Sequence, residues 1–181
     1  MERMVELYLC RASNPLSQED RLLHWGKEYA LHAGLSAPSG TILRDKKGKP
    51  FFSGLPFCFS VSHSGDLWGC AFSPSRLGLD LQREQPCASA SIARRFFHPL
   101  ERRYAESAPD QKAFFAVWTA KESYVKFTGE GITDAFSDFS VISANGAFSL
   151  PGVTLRHYPV REGYHLCLCT DTALPVSFIW K

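Results

Sequence analysis

Trp118-Thr119-Ala120-Lys121-Glu122-Ser123-Tyr124-Val125-Lys126 is the stretch from which the rest of the chain can be read. As a helix it stacks Trp118, Glu122 and Lys126 four residues apart on one face. That stripe offers an aromatic wall, a carboxylate and an ammonium, the groups needed to hold a metal and an anionic substrate together. The plainer alternative is a surface i, i+4 pair between Glu122 and Lys126, worth about 0.2–0.5 kcal/mol, with Trp118 in the core. Upstream, Leu77-Gly78-Leu79-Asp80-Leu81-Gln82 reads as a strand. Its alternation puts Asp80 and Gln82 on one side and Leu79 and Leu81 on the other. An ordinary edge strand with a solvated face would show the same pattern. An acid near the end of a short apolar strand also suits a hard cation, which needs oxygen ligands fixed on a rigid element.

Outward from these two segments, the pattern predicts an α+β chain. Val5 to Leu9 alternates like a strand. Ser17-Gln18-Glu19-Asp20 opens a helix that runs to about Ala33, before Gly34. Arg44 to Lys49 is a charged turn, and Phe57 to Asp66 with Trp68 to Ser73 make a hairpin. Pro74 breaks the chain. Helices are expected over Ser89 to Phe97, from His98, and from Asp110 to Thr128, stopped at Gly129. Strands are expected at Phe139 to Ser143, Ala147 to Leu150, Thr154 to Val160, Tyr164 to Thr170 and Val176 to Trp180. Each half thus combines helix with antiparallel strands, and the division falls near Pro74, giving subdomains 1–75 and 76–181. The halves have a similar inventory of elements but no sequence repeat.

Composition narrows the function classes. The chain has 181 residues, 45% hydrophobic, and a formal charge of +2, so it can bury a proper core. That charge argues for neither nucleic acid nor an anionic membrane surface, and no basic stripe with interleaved aromatics occurs. Six cysteines stand at positions 10, 58, 70, 87, 167 and 169 without a C-x-x-C pair. They read as reduced core thiols in a cytoplasmic protein. No signal-peptide core and no run of roughly 18 apolar residues is present. H-E-x-x-H, zinc-finger spacing and Gly-rich phosphate loops are missing. Ser62-His63-Ser64 lacks a G-x-S-x-G elbow, and adjacent strand residues face opposite ways, so Ser62 and His63 are a poor nucleophile–base pair. A histidine at a strand end beside Gly65 is better placed to donate to an anion.

Three segments, in this order, resemble the 4′-phosphopantetheinyl transferases, specifically the large single-chain Sfp-type enzymes built as a pseudo-dimer. They are Phe59-Ser60-Val61-Ser62-His63-Ser64-Gly65, then Leu77 to Gln82, then Phe115 to Lys126 with its W-x-x-K-E-S-x-x-K element. Gly48-Lys49-Pro50 and Arg95-Phe96-Phe97 are similar to further family landmarks. The resemblance covers residues 48 to 131. It implies two similar subdomains related by a pseudo-twofold axis. It also implies a Mg²⁺-dependent reaction that moves the 4′-phosphopantetheine arm of coenzyme A to a carrier-protein serine, releasing adenosine 3′,5′-bisphosphate.

Carried over by position, Asp80 and Glu122 would hold Mg²⁺ on the pyrophosphate, and Glu122 would double as the base for the carrier serine. Lys126 would pair with the pyrophosphate, with Lys121 beside it. His63, Ser62 and Lys49 would contact the coenzyme A phosphates. Attack at a phosphorus flanked by negative oxygens needs that neutralisation together with in-line positioning. Magnesium favours few carboxylates plus substrate phosphates and waters, so two acids suffice.

One departure stands out. The family pattern is G-x-D-x-E, and this chain has Gln82 at the last position, an amide that can ligate through its oxygen or a bound water but carries no charge. Carrier surfaces are acidic, so Arg94, Arg95, Phe96, Phe97, Arg102 and Arg103 are the expected docking segment; the alternative is that the phenylalanines are core. With the site between the halves, one chain should suffice as a monomer. The competing function is a coenzyme A-binding protein with impaired catalysis, for which Gln82 would be the first sign. Acyl, peptidyl and aryl carriers, of fatty-acid, polyketide or nonribosomal peptide synthesis, are not distinguished.

Overall fold

In chain order, Val5–Arg11 forms β1 and Gln18–His32 forms α1; the computed structural model describes residues 4–38, 40–108, 110–131 and 134–181. The helix starts where the Ser17 hydroxyl accepts from the Asp20 N–H at 3.1 Å, satisfying one of the free donors of its first turn. Ile42–Arg44 (β2) and Pro50–Phe52 (β3) pair around the charged turn. Cys58–Ser64 (β4) and Leu67–Ser73 (β5) make the next hairpin, and Leu77–Arg83 is β6. Three helices follow: Ser89–Phe96 (α2), Pro99–Glu106 (α3) and Lys112–Thr128 (α4). Gly129 ends α4 in the left-handed region at φ 76°, where a side chain would be strained. A 3-10 turn at Asp134–Ser137 leads to Thr154–Tyr158 (β7), Tyr164–Thr170 (β8) and Val176–Trp180 (β9).

Two sheets result, ordered β4-β5-β1-β9 and β6-β8-β7, beside the small β2-β3 pair. The alternation of β1 explains why both of its faces are buried. Tyr8 and Cys10 meet Trp25 and Tyr29 of α1, whereas Leu7 and Leu9 meet Leu79, Leu81 and Leu166 of the other sheet. A third cluster joins α2 and α4 to β8 through Ala93, Phe97, Phe114, Val117 and Cys167. β9 lies parallel to β1, Val5 opposite Val176 and Leu9 opposite Trp180. The last strand therefore returns to the first sheet, across the division expected at residue 75.

The helices and most strands fall where the sequence places them. The strands expected at Phe139 to Ser143 and Ala147 to Leu150 do not form; a single bridge, Ile142 to Phe148, is what remains. Side chains take the backbone groups a ladder would need. Lys121 Nζ donates to the Phe139 carbonyl at 2.9 Å, and the Val141 N–H donates to Glu101 Oε1 at 2.8 Å.

Candidate active site

β4 and β6 are edge strands of different sheets, and they run side by side without a backbone ladder. The Ser-x-Ser-x-Ser alternation of β4 replaces it. Ser60, Ser62 and Ser64 hydroxyls accept from the N–H groups of Leu79, Leu81 and Arg83 at 2.9, 3.0 and 3.0 Å. A side chain inserted between strands holds them further apart than a carbonyl would, so the sheets splay and a cleft opens over the seam. At one end Asp66 ties the β4–β5 turn to Arg161, through two bonds of 2.9 and 2.8 Å, and to the Tyr164 hydroxyl. α4 forms the far wall, laid directly on β6. A Cβ on Gly78 would stand 2.0 Å from the Ser123 carbonyl oxygen and 2.3 Å from the Phe127 nitrogen.

This close approach brings the predicted acids together. Asp80 is buried, and its Oδ1 accepts from Ser62 Oγ at 2.9 Å and from Lys126 Nζ at 2.7 Å. Lys126 Nζ also donates to Ser62 Oγ at 3.0 Å and to the Val61 carbonyl at 3.3 Å. Asp80 Oδ2 and Glu122 Oε1 are both buried without a hydrogen-bond partner. Burial, then the Asp80 charge, pushes the Glu122 carboxyl up to about 7, with Lys126 pulling the other way. Neither acid sits on the solvated face that the plainer sequence readings describe.

The cleft is two adjoining cavities of 320 and 380 Å³ that share Pro50, Val61, Glu122 and Lys126. The smaller is walled by Lys47, Gly48, Lys49, Phe59 and Val125. Arg44, His63, Asp80, Gln82 and Trp118 line the larger. His63 is exposed to this space; its neighbour Ser62 also borders it but is largely buried, its hydroxyl donating to Asp80. Gln82 stands at the rim, its amide nitrogen 3.3 Å from the Arg83 carbonyl. Trp118 faces the cleft on one side and stacks on Phe114 on the other, centroids 6.1 Å apart.

Lys121 lies elsewhere than expected, and Lys49 lines the cleft with its ammonium already engaged. Lys121 is fully buried and does not reach the cleft. Its ammonium lies 2.9 Å from Glu101 Oε2 and 3.9 Å from the centre of the Phe139 ring. The reason is helical: at i+3 from Trp118 it points toward α3, one residue round from the Glu122 stripe. Burial lowers its pKa, with Glu101 opposing. Lys49 lines the wall, but its ammonium is on the end of α4, 2.5 Å from the Lys126 carbonyl and 3.3 Å from that of Phe127. A cation there complements the negative end of the helix. Gln18 and Arg44 also line the cleft and carried no assigned role in the sequence. Arg44 was visible as part of a basic cluster, but nothing local connects β2 to β6.

The donor set fits a hard divalent cation. Two buried carboxyl oxygens with no partner carry a desolvation cost that a cation would offset. Among the described residues, no group of three or more His, Cys, Asp or Glu side chains could hold a metal. The remaining ligands would come from substrate and water, as Mg²⁺ favours. A pH signature follows. Glu122 is raised above its ordinary 4.5, so between pH 4.5 and about 7 the folded chain holds a proton that the unfolded chain has released. Its contribution is present below 4.5 and lost as pH rises through that window. Thermal unfolding in chelator should show wild-type Tm falling across it relative to Glu122→Gln, and Mg²⁺ should reverse the fall near pH 7.5. Parallel Tm curves would contradict this electrostatic account.

The family model for the 4′-phosphopantetheinyl transferase superfamily matches residues 76–169. A 4′-phosphopantetheinyl transferase of Bacillus subtilis is 35% identical over 133 residues, 67% of this chain and 59% of that protein. The 4′-phosphopantetheinyl transferase HetI of Nostoc is 41% identical over 97 residues, 49% of this chain and 41% of its own. The 4′-phosphopantetheinyl transferase AcpT of Salmonella typhimurium is 34% identical over 147 residues, 78% of this chain and 72% of its own. Against the first two the chain spans 59% and 41% of the relative's length.

Proposed function

Because the chain belongs to the 4′-phosphopantetheinyl transferase superfamily, we propose that it transfers the 4′-phosphopantetheine arm of coenzyme A to a serine of a carrier protein. The observation that supports this best is the pair of buried, partnerless oxygens on Asp80 and Glu122 beside the Lys126 ammonium. A diphosphate with one cation supplies the charges and ligands that this trio lacks.

Asp80 and Glu122 would hold Mg²⁺, with Gln82 adding its amide oxygen directly or through water. When bound, the ion neutralises diphosphate oxygens and favours departure of adenosine 3′,5′-bisphosphate. Lys126 pairs with the diphosphate and stabilises the charge that develops on the leaving oxygen. Glu122 takes the proton of the attacking serine hydroxyl, directly or through a water. His63, exposed in the larger cavity, and Lys49, in the wall of the smaller, supply positive potential for the remaining phosphate groups. Arg44 adds a further cation to the same space.

The pseudo-twofold arrangement belongs to the same reading. Each half has strand, helix and hairpin, and the sheet orders β4-β5-β1 and β7-β8-β6 run second, third, first in both. The subdomains 1–75 and 76–181 follow, with β9 exchanged into the first, and the cleft between them needs no second copy. Free cysteines at all six positions fit a reducing cytoplasm, and no helix among the described residues is long and apolar enough to cross a membrane. For the carrier, Arg94, Arg95 and Arg103 are exposed beside half-buried Phe96, which has the Arg95 guanidinium 5.0 Å over its ring. Phe97 leaves this set, being fully buried, and Arg102 bonds the Phe97 carbonyl at 3.1 Å.

Intact-mass analysis of an apo acyl carrier protein incubated with coenzyme A, Mg²⁺ and this protein tests the proposal. One added phosphopantetheine is expected. Coenzyme A binding without any mass gain would overturn transfer in favour of a binding protein. Lys126→Ala should slow turnover about a hundredfold, since it removes a charge at the reacting diphosphate and leaves Asp80 unpaired. Near-normal rates would reduce Lys126 to a structural partner of Asp80. Gln82→Glu should preserve the mass gain and lower the Mg²⁺ needed for half-maximal rate; a dead variant would refute the role given to that position.

A further inference from the structure

We infer that Ser62 is a positioning residue that selects which oxygen of Asp80 is presented to the cation, and that its hydroxyl is not itself a phosphate ligand. This rests on the transferase reading above and deepens it. A serine hydroxyl has one proton to give and two lone pairs to fill. At Ser62 all three are committed. The proton lies toward Asp80 Oδ1 at 2.9 Å, with the Leu81 carbonyl at 3.5 Å a poorer target. The Leu81 N–H and Lys126 Nζ reach the oxygen from two sides, each at 3.0 Å. A phosphate oxygen would have to displace the bond to a carboxylate, the strongest of the three. Ser62 borders the larger cavity but is only 7% exposed, whereas His63, the next residue along the strand, is exposed.

The consequence falls on Asp80. Its Oδ1 receives two donors, Ser62 and Lys126, and its Oδ2 receives none although it is buried. The carboxylate is therefore held in one rotation, with one oxygen saturated and the other left open. Without Ser62, one mobile lysine would hold the group, and either oxygen could turn toward the cation. Removing an outer partner of a metal ligand commonly costs about 10–100-fold in affinity. Ser64 makes the same kind of rung, to the Arg83 N–H at 3.0 Å, and bears no such relation to Asp80. The two rungs can thus be separated experimentally.

Mn²⁺ titration of the substrate-free protein, read by the electron paramagnetic resonance signal of free Mn²⁺, is independent of turnover. Ser62→Ala should weaken Mn²⁺ binding about tenfold. Ser62→Cys, which keeps the volume but donates and accepts weakly, should do the same with the fold intact, so the test survives a poorly folding alanine variant. Ser62→Thr should restore binding and Ser64→Ala should leave it unchanged. In transfer assays at saturating metal, the KM for coenzyme A should stay within about twofold of wild type in Ser62→Cys, as expected of a group acting through Asp80. Wild-type Mn²⁺ affinity in Ser62→Cys, or a coenzyme A KM raised tenfold with metal affinity unchanged, overturns the inference. A wild-type protein that binds Mn²⁺ but transfers nothing refutes the transferase reading alone, because the metal comparison still decides the role of Ser62.

Discussion

Glu122→Ala is expected to abolish carrier modification, lowering the rate by at least about a thousandfold in the intact-mass assay. The side chain carries two roles whose losses compound. As a base it is worth roughly 10²–10⁴ in rate, and among the described residues lining the cleft it is one of two carboxylates that would face the cation. The group is suited to accept a proton near neutrality, because burial and Asp80 together raise it to about 7; a bound cation would draw that value down and keep the base ionised. Glu122→Gln separates the roles, since it retains an oxygen for the cation but cannot take up a proton. A residual rate within tenfold of wild type in Glu122→Ala would place the base and the metal ligand elsewhere.

The largest structural effect is expected from a residue with no functional group. Gly78→Ala adds one methyl group facing α4, where a Cβ would lie 2.0 Å from the Ser123 carbonyl oxygen. The obstruction is helix backbone, which cannot rotate away as a side chain would. Overpacking commonly costs about 1–3 kcal/mol, and this contact belongs at or beyond the upper end. Urea unfolding should show a lowered midpoint with little change in slope. Activity should fall as well, because α4 displaced from β6 carries Glu122 and Lys126 away from Asp80. A variant of wild-type stability would show that α4 does not rest on this glycine.

The acids were legible because both lie on regular elements whose periodicity is local. Four-residue spacing put Glu122 and Lys126 on one stripe, and strand alternation isolated Asp80 from Leu79 and Leu81. What sequence could not supply was which lysine of the helix faces the cleft. Lys121 and Lys126 differ by less than two turns, and only the position of Glu101 on α3, with the Phe139 carbonyl, captures the first into the core. The same limit applies to Ser62. Its type and its place in the alternation were visible, but its three partners come from β6 and α4. The failed strands near Phe139 have a related cause, since the donors and acceptors that compete for their backbone come from helices earlier in the chain. Gly78 was within view in the quoted strand, yet its significance depends on a helix more than forty residues later.

The pairing of Val176–Trp180 with Val5–Leu9 bears on biosynthesis. β1 waits for a strand about 170 residues further along the chain, so one flank of it stays open while the intervening segment is being made. Closing that gap fixes a loop of about 170 residues, from Val5 to Val176, an entropic toll that topology places late in folding. Until that flank is covered, an unpaired strand edge stays available to other chains.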